Sequence, residues 1–369
     1  MKIEVLEADG LLWRGVLETL PHDFYSLPGY AALESERLDG RALALLGRDD
    51  GGSVLLPAVV RDLPRELCGP ETVGLRDAVS PYGYPGISVA AAKGREAALV
   101  EDFLCAARPV LADLGVINVF LRLNPVIDEA EWFAGGGTLV QHGETVWIDL
   151  TLSEDELHRQ TRSRFRGNIN AARRDGLRVV LDSTWSRVEV FTKMYHDTMR
   201  SVGAEDWYLF PEEYFLRLHE VAGAAVHLFL VESDAGVAAA GLFSECDGIV
   251  QYLFSGRDES DGHPHGTKLM MAHVRDWAKS RGNRVMHLGG GLGARTDNLS
   301  QFKRGFSKLT RPFHTWRWVV DAELHQQAMH SWQQATGLTD EGESGYFPGY
   351  RQVRGEPRQQ PGARSERNG

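Results

Sequence analysis

The chain has 369 residues, 43% of them hydrophobic and 25% charged, the make-up of a globular protein long enough for two domains. No apolar run approaches the ~20 residues of a membrane-spanning helix, and the 3 cysteines, Cys68, Cys105 and Cys246, stand too far apart for a disulfide framework or a zinc site. The net charge of −11 is uneven: residues 1–150 carry 12 Lys and Arg against 23 Asp and Glu, the remainder 28 of each. The acidic half repels polyanions at long range and the second half can meet them through basic patches, unless the asymmetry only aids solubility. The opening M-K-I-E-V-L-E-A-D-G lacks the layout of a signal peptide. With the dispersed cysteines it points to a cytoplasmic protein.

The first half reads as mixed α and β. Ile3 to Leu6 is a short strand and Leu11 to Leu20 a helix. Ala42 to Leu46 and Ser53 to Val60 form two strands joined at Asp49-Asp50-Gly51-Gly52, a hairpin signal. Gly94 to Leu114 is helical, with Ala98, Val100, Phe103, Leu104, Ala107 and Leu111 on one side, and Val116 to Leu121 is a buried strand. A domain boundary is expected near Leu150. The next helix opens on a Ser153/Glu156 capping box and stops at Gly176. Along it Leu157, Phe165, Ile169 and Ala172 face a core, and Arg162, Arg166, Asn170 and Arg173 line another face.

Further on, Ala225 to Val231 and Val237 to Phe243 are strands, as is Ile249 to Phe254; Gly266 to Lys279 is a helix with His273 on its apolar side, and Arg284 to Leu288 a strand. Hairpin, strand, helix, strand thus occurs twice, the mark of a duplicated domain. Phe313 to Val320 is an aromatic strand and Asp321 to Thr336 a helix; from about residue 339 the composition predicts a disordered tail.

Three segments carry candidate chemistry. The run from His287 to Lys308 takes a strand into Gly289-Gly290-Gly291, then Gly293, then Phe302-Lys303-Arg304-Gly305-Phe306. Glycines after a strand let backbone approach a ligand, and a lysine between phenylalanines is a cation held on apolar surface, able to steady developing negative charge. The arginines from Arg162 to Arg178 can fork onto phosphates or form a solvated helix face. Ser80-Pro81-Tyr82-Gly83-Tyr84-Pro85-Gly86 is a ligand-presenting loop or a rigid turn. No nucleophile–base pair, metal spacing or phosphate-binding glycine loop stands out, so catalysis would be positional and electrostatic.

In R-G-N-I-N-A-A-R-R-D-G-L-R-V, F-T-K-M-Y-H-D-T-M-R, Val250-Gln251-Tyr252, H-L-G-G-G and Q-F-K-R-G-F, in that order, the second half resembles the FemABX family of aminoacyl-tRNA-dependent peptidyltransferases; S-P-Y-G-Y-P-G extends the likeness to the first half. The resemblance implies an α/β (α+β) fold of two tandem GNAT-like domains, each a mixed, mostly antiparallel sheet with flanking helices, spanning 1–150 and 151–338 before the tail at 339–369. It implies transfer of an amino acid from aminoacyl-tRNA, as co-substrate and with no resident cofactor, to an amine on a cell-wall precursor or a small metabolite. Lys303 would stabilise the oxyanion or the tRNA terminus, and Phe302 would pack on the terminal adenosine. Tyr82, Tyr84, Arg200, Tyr208 and Tyr252 would line the acceptor site, Gly290 and Gly291 would admit backbone contact, and Arg162, Arg166, Arg173 and Arg304 would meet the tRNA.

The chain also departs from that family. It has no charged helical hairpin in the second half, reads R-S-V-G-A after Arg200, and lacks an early lysine in L-P-G-Y-A-A-L-E-S. With the acidic first half, this favours a neutral or cationic acceptor. An acetyl-CoA-dependent GNAT enzyme is the first alternative. The segment S-D-G-H-P-H-G-T-K keeps one glycine of a pyrophosphate loop, beside Asp258, Glu259 and Asp261. A non-catalytic GNAT-like module is the second.

Overall fold

The computed structural model describes residues 1–64, 72–258, 262–291, 297–338 and 345–352. The chain forms two compact units, Met1–His142 with Pro312–Gly369, and Gly143–Arg311.

In the first unit, strands β1 (Lys2–Glu7), β2 (Gly40–Asp49), β3 (Gly52–Asp62), β4 (Arg76–Val79), β5 (Ser88–Ala91) and β6 (Val116–Arg122) accompany helices α1 (Leu11–Leu17), α2 (Pro28–Arg37) and α3 (Glu96–Asp113). The expected hairpin is β2–β3, paired from Gly40↔Arg61 to Asp49↔Gly52. Helix α3 buries Leu99, Val100, Phe103, Leu104, Ala107 and Leu111 against Leu43, Leu45, Val54 and Leu56 of that hairpin. Strand β7 (Thr138–Asp149) carries the chain into the second unit.

The second unit continues with α4 (Glu154–Gln160), α5 (Ser163–Arg174), β8 (Arg178–Leu181), α6 (Val188–Ser201), α7 (Glu212–Ala222), β9 (Val226–Ser233), β10 (Gly236–Cys246), β11 (Ile249–Arg257), α8 (Gly266–Ser280), β12 (Val285–Gly289) and α9 (Asn298–Lys303). Leu269, Met270, Val274 and Ala278 of α8 pack on Phe229, Val231, Phe243 and Val250. His273, expected on that apolar side, is exposed. The chain then returns through β13 (Thr310–Val319) and α10 (Ala322–Thr336).

The two units repeat one plan. Strand order is β1-β2-β3-β4-β6-β13 in the first and β8-β9-β10-β11-β12-β7 in the second. In each, the fourth and fifth strands of that order pair parallel, β4 with β6 and β11 with β12. A helix, α3 or α8, links each parallel pair, as a parallel connection requires. The duplication expected from the sequence is therefore present, with one difference in where the pieces come from. The sequence assigned residues 312–338 to the second domain and put the boundary at 150. In the structure β13 pairs antiparallel with β6, from Thr315↔Arg122 to Val319↔Asn118, and belongs to the first unit. Trp316 and Trp318 are fully buried in the first unit's core. Each indole removes on the order of 200 Å² from water, an anchor that chain proximity cannot reveal.

Of the expected disordered tail, residues 339–344 and 353–369 lie outside the described residues. Residues 345–352 fold onto the first unit. Tyr350 is fully buried with Trp332 of α10, its hydroxyl accepts from Asn118 Nδ2 at 2.7 Å, and Arg351 Nε donates to buried Asp77 at 2.6 Å. Among the described residues, no helix is long and apolar enough to cross a membrane.

Candidate active site

Strands β11 and β12 pair in parallel register through Gln251↔His287. Strand β11 then continues alongside β10 to Arg257, whereas β12 ends at Gly289. The short helix α9 delivers Lys303 to this strand end. Asp297 starts α9 through a capping box with Ser300, Ser300 N donating to Asp297 Oδ1 at 2.7 Å.

Lys303 is buried, 7% exposed. Its Nζ donates to the Gly290 carbonyl at 2.6 Å and stands 5.7 Å from the centre of the Tyr252 ring. Fully buried His287 lies beside it, its Nδ1 2.7 Å from Oε1 of buried Gln251. With that carbonyl oxygen as acceptor, the imidazole carries its proton on Nδ1. Burial drives the Lys303 pKa down to about 8, while the charge of Asp297 pulls the other way. Burial, then the charge of Lys303, drives His287 down to about 3, so the imidazole is neutral. Burial raises the Tyr252 phenol, whose hydroxyl pairs with Ser255 Oγ. The Tyr252 ring stacks on Phe243 at 5.3 Å.

The residues flanking Lys303 build an aromatic platform. Phe302 lies 5.8 Å from Phe165 and 5.3 Å from Phe306, and Phe165 lies 5.2 Å from Phe306. Gly305 makes this possible: a Cβ there would fall 2.1 Å from the Phe165 ring. Its carbonyl accepts the N–H of Arg162 at 2.9 Å. That bond falls at the break between α4 and α5, where the sequence suggested one continuous helix. The backbone N–H of Arg162 bonds across to the F-K-R-G-F turn instead of up its own helix.

The expected tRNA-contacting arginines differ in availability. Arg162 and Arg173 are exposed. Arg166 donates to the Thr161 carbonyl at 2.5 Å and the His158 carbonyl at 3.3 Å, and Arg304 pairs with Glu144 at 2.5 Å. These two have structural work at the helix break and beside the turn.

Of the expected acceptor residues in this unit, Tyr252 is at the Lys303 seat. Arg200 is exposed on α6 and pairs with Asp197 at 3.6 Å. Tyr208 is half-buried, its ring 3.9 Å from that of Trp207 and its carbonyl accepting from the Tyr195 hydroxyl. Gly290 is buried and Gly291 half-buried; Gly293 lies outside the described residues.

Tyr82 and Tyr84 belong to the first unit, where their loop follows β4. The Tyr82 ring has the guanidinium of Arg37 at 5.7 Å and that of Arg122 at 5.9 Å. Tyr84 meets Phe313 edge-on at 5.2 Å, and its carbonyl accepts from Asn124 at 2.8 Å.

Gln251, in the Val250-Gln251-Tyr252 match, and His287, one of several histidines without metal spacing, had no role assigned from sequence. The available signal was a polar residue at the matching position of two otherwise apolar strands, I-V-Q-Y-L-F and V-M-H-L-G. Lys268 was also missed. It lies 5.2 Å over the Phe165 ring, and burial, then the charges of Arg257 and Arg164, lowers its pKa.

Residues 159–304 match the acetyltransferase (GNAT) domain model. Among solved structures the chain is similar to FemX, at 12% identity and a TM-score of 0.66, over 88% of this chain and 99% of that one. It is similar to the C-terminal DUF2156 domain of a putative lysylphosphatidylglycerol synthetase from Agrobacterium fabrum, at 12% identity and a TM-score of 0.53, over 86% and 93% of the two chains. It is also similar to L-PGS from Bacillus licheniformis, at 12% identity and a TM-score of 0.53, over 88% and 96%. No curated protein sequence matches it. The fold is that of the GNAT acyltransferases, in tandem. The chain is a tandem of two GNAT-like domains, a fold it shares with FemX.

Proposed function

We propose that the protein is an aminoacyltransferase that moves an amino acid from aminoacyl-tRNA to an amine acceptor, forming an amide. The observation that carries this reading is the buried Lys303 seated between the Gly290 carbonyl and the Tyr252 ring at the end of the parallel strands. The acceptor nitrogen attacks the ester carbonyl, and charge develops on the carbonyl oxygen. An ammonium in this desolvated seat, present as that charge develops, stabilises it far more than one in water. The Phe165/Phe302/Phe306 platform offers a stacking surface for a terminal base, a contact worth roughly 1–3 kcal/mol. Exposed Arg162 and Arg173 offer phosphate contacts close by in sequence. The lysylphosphatidylglycerol synthetase among the structural neighbours is, by its name, a protein that joins an amino acid to an acceptor, and supports this class of transfer. The acceptor is a small metabolite amine or a cell-wall precursor; the acidic first half and the absent early lysine favour the metabolite.

The test is incubation of the purified protein with charged tRNA pools and candidate amines. Label transfer abolished by RNase is the expected result; RNase-resistant transfer that requires acetyl-CoA sinks the reading. Arg162→Gln with Arg173→Gln should weaken tRNA binding and flatten its salt dependence by roughly one counterion per lost phosphate contact. An unchanged salt slope makes that face merely solvated.

An acyl-CoA donor is the second reading, and one observation favours it. Lys268, in the first turn of α8, sits in the positive field of Arg164 and Arg257. This charge offsets the acids that the sequence places before the helix, of which Glu259 and Asp261 lie outside the described residues.

A further inference from the structure

Amide formation from an amine and an ester moves a proton as well as an acyl group, and something at the strand end must carry it. The side chains there differ sharply in their freedom to do so. His287, by residue type the obvious base, is fully buried, fixed by Gln251 and held neutral far below its ordinary pKa. The Tyr252 hydroxyl is pushed toward its neutral form by burial and is bonded to Ser255. The Asp297 carboxylate is tied to the N–H of Ser300 as a helix cap. Lys303 is held by a carbonyl and an aromatic face, and it forms no ion pair among the described residues. A carboxylate partner would lock it as an ammonium, whereas a carbonyl accepts an N–H from either the charged or the neutral amine.

We propose that Lys303 carries the proton of the transfer, taking it from the attacking amine and returning it to the leaving oxygen. This deepens the function proposed above and rests on it. The acceptor nitrogen forms its bond to the ester carbon while its proton passes to neutral Nζ. The resulting ammonium faces the oxyanion at the moment that charge exists. Collapse breaks the carbon–oxygen bond, the departing ribose oxygen takes the proton from Nζ, and Lys303 ends neutral as it began. The charged and titratable groups facing it bear on its proton in both directions. Burial lowers its pKa to about 8 and Asp297 opposes this, while neutral His287 and Tyr252 add no charge.

The experiment has one arm without a donor and one with it. Carbon NMR of lysine-labelled native protein, with Lys303 assigned through Lys303→Arg, should show Lys303 titrating near pH 8, apart from the other lysines. An ordinary lysine midpoint overturns the proposal whatever the donor is. In a variant free of Cys68, Cys105 and Cys246, Lys303→Cys followed by aminoethylation changes one methylene to sulfur and makes the ammonium more acidic. The rising limb of turnover against pH should move to lower pH with the NMR midpoint; a limb that stays put overturns proton carrying. His287→Gln should keep the limb, and its loss would transfer the role to His287. RNase-insensitive transfer overturns the tRNA donor and leaves the donor-free titration of Lys303 standing, so the two failures are told apart.

Discussion

The same parallel strand end occurs once in each unit and is finished in opposite ways. In the first unit the loop after β4 stitches the opening shut. Ser80 N donates to the Phe120 carbonyl at 2.9 Å and Gly86 N to the Arg122 carbonyl at 3.0 Å, while Arg122 N donates to Ser80 Oγ at 3.1 Å. Pro81 and Pro85 are buried in that closure. In the second unit β12 stops at Gly289 and the neighbouring Gly290 carbonyl receives a lysine from α9 instead of a loop. One fold, used twice, yields a sealed end and a cation-bearing end. A cation-bearing end can act on a reacting group.

Removing the cation should break this contrast most severely. Lys303→Met should lower turnover by about two to three orders of magnitude, the scale of losing one preorganised charge stabiliser, as steady-state transfer assays would show. Stability should move the other way. The folded pKa of about 8 lies below the ordinary 10.5, so between these values the unfolded chain holds more protons and stability rises with pH. Below about pH 8 the ammonium carries its full burial penalty, roughly 3 kcal/mol. The methionine variant should therefore be more resistant to denaturant at pH 6 to 7, with the gain fading toward pH 10. A variant that loses both turnover and stability would make Lys303 a structural residue.

The platform beside Lys303 is the next most sensitive point. Gly305→Ala sets a methyl 2.1 Å from the Phe165 ring, and overpacking of this kind costs about 1–3 kcal/mol. Denaturant midpoints should fall by that amount, and adenosine stacking should weaken with it. The glycine was visible in the F-K-R-G-F motif, but its partner, 140 positions earlier in the chain, was not. Much of the second unit was legible in this uneven way. Periodicity and the Ser153/Glu156 capping box, which is present, marked local elements because local backbone chemistry determines them. The break at Arg162 escaped, because the Gly305 carbonyl that causes it comes from a distant turn. In the first unit β13 was legible as a strand, but its pairing with β6 was not. Lys303 could be suspected from its phenylalanine neighbours; its carbonyl seat and the Gln251–His287 pair depend on strand register, which a single strand does not reveal.

The sealed end permits a milder test. Ser80→Ala removes the side-chain acceptor of the half-buried Arg122 N–H, and losing one such hydrogen bond costs about 0.5–1.5 kcal/mol. The loss should appear in denaturation of the first unit, and the NMR midpoint of Lys303 should not move. Movement of that midpoint would mean that the two strand ends are coupled and would undo the contrast between them.

The smallest expected change is also the most diagnostic of an interface. Gly167 stands inside α5 on an exposed face, and a Cβ there meets nothing within 4 Å. A glycine inside a helix costs about 1 kcal/mol relative to alanine, and the unit packs nothing against this one. By helix propensity alone, Gly167→Ala should stabilise the protein by up to about 1 kcal/mol. If the face between Arg162 and Arg173 serves tRNA, the added methyl stands where a ribose–phosphate backbone approaches. The variant should then gain stability in thermal denaturation yet bind charged tRNA less tightly at constant salt. Stability gained with unchanged tRNA binding would leave α5 as a solvated helix and move the tRNA contact onto the Phe302 platform alone.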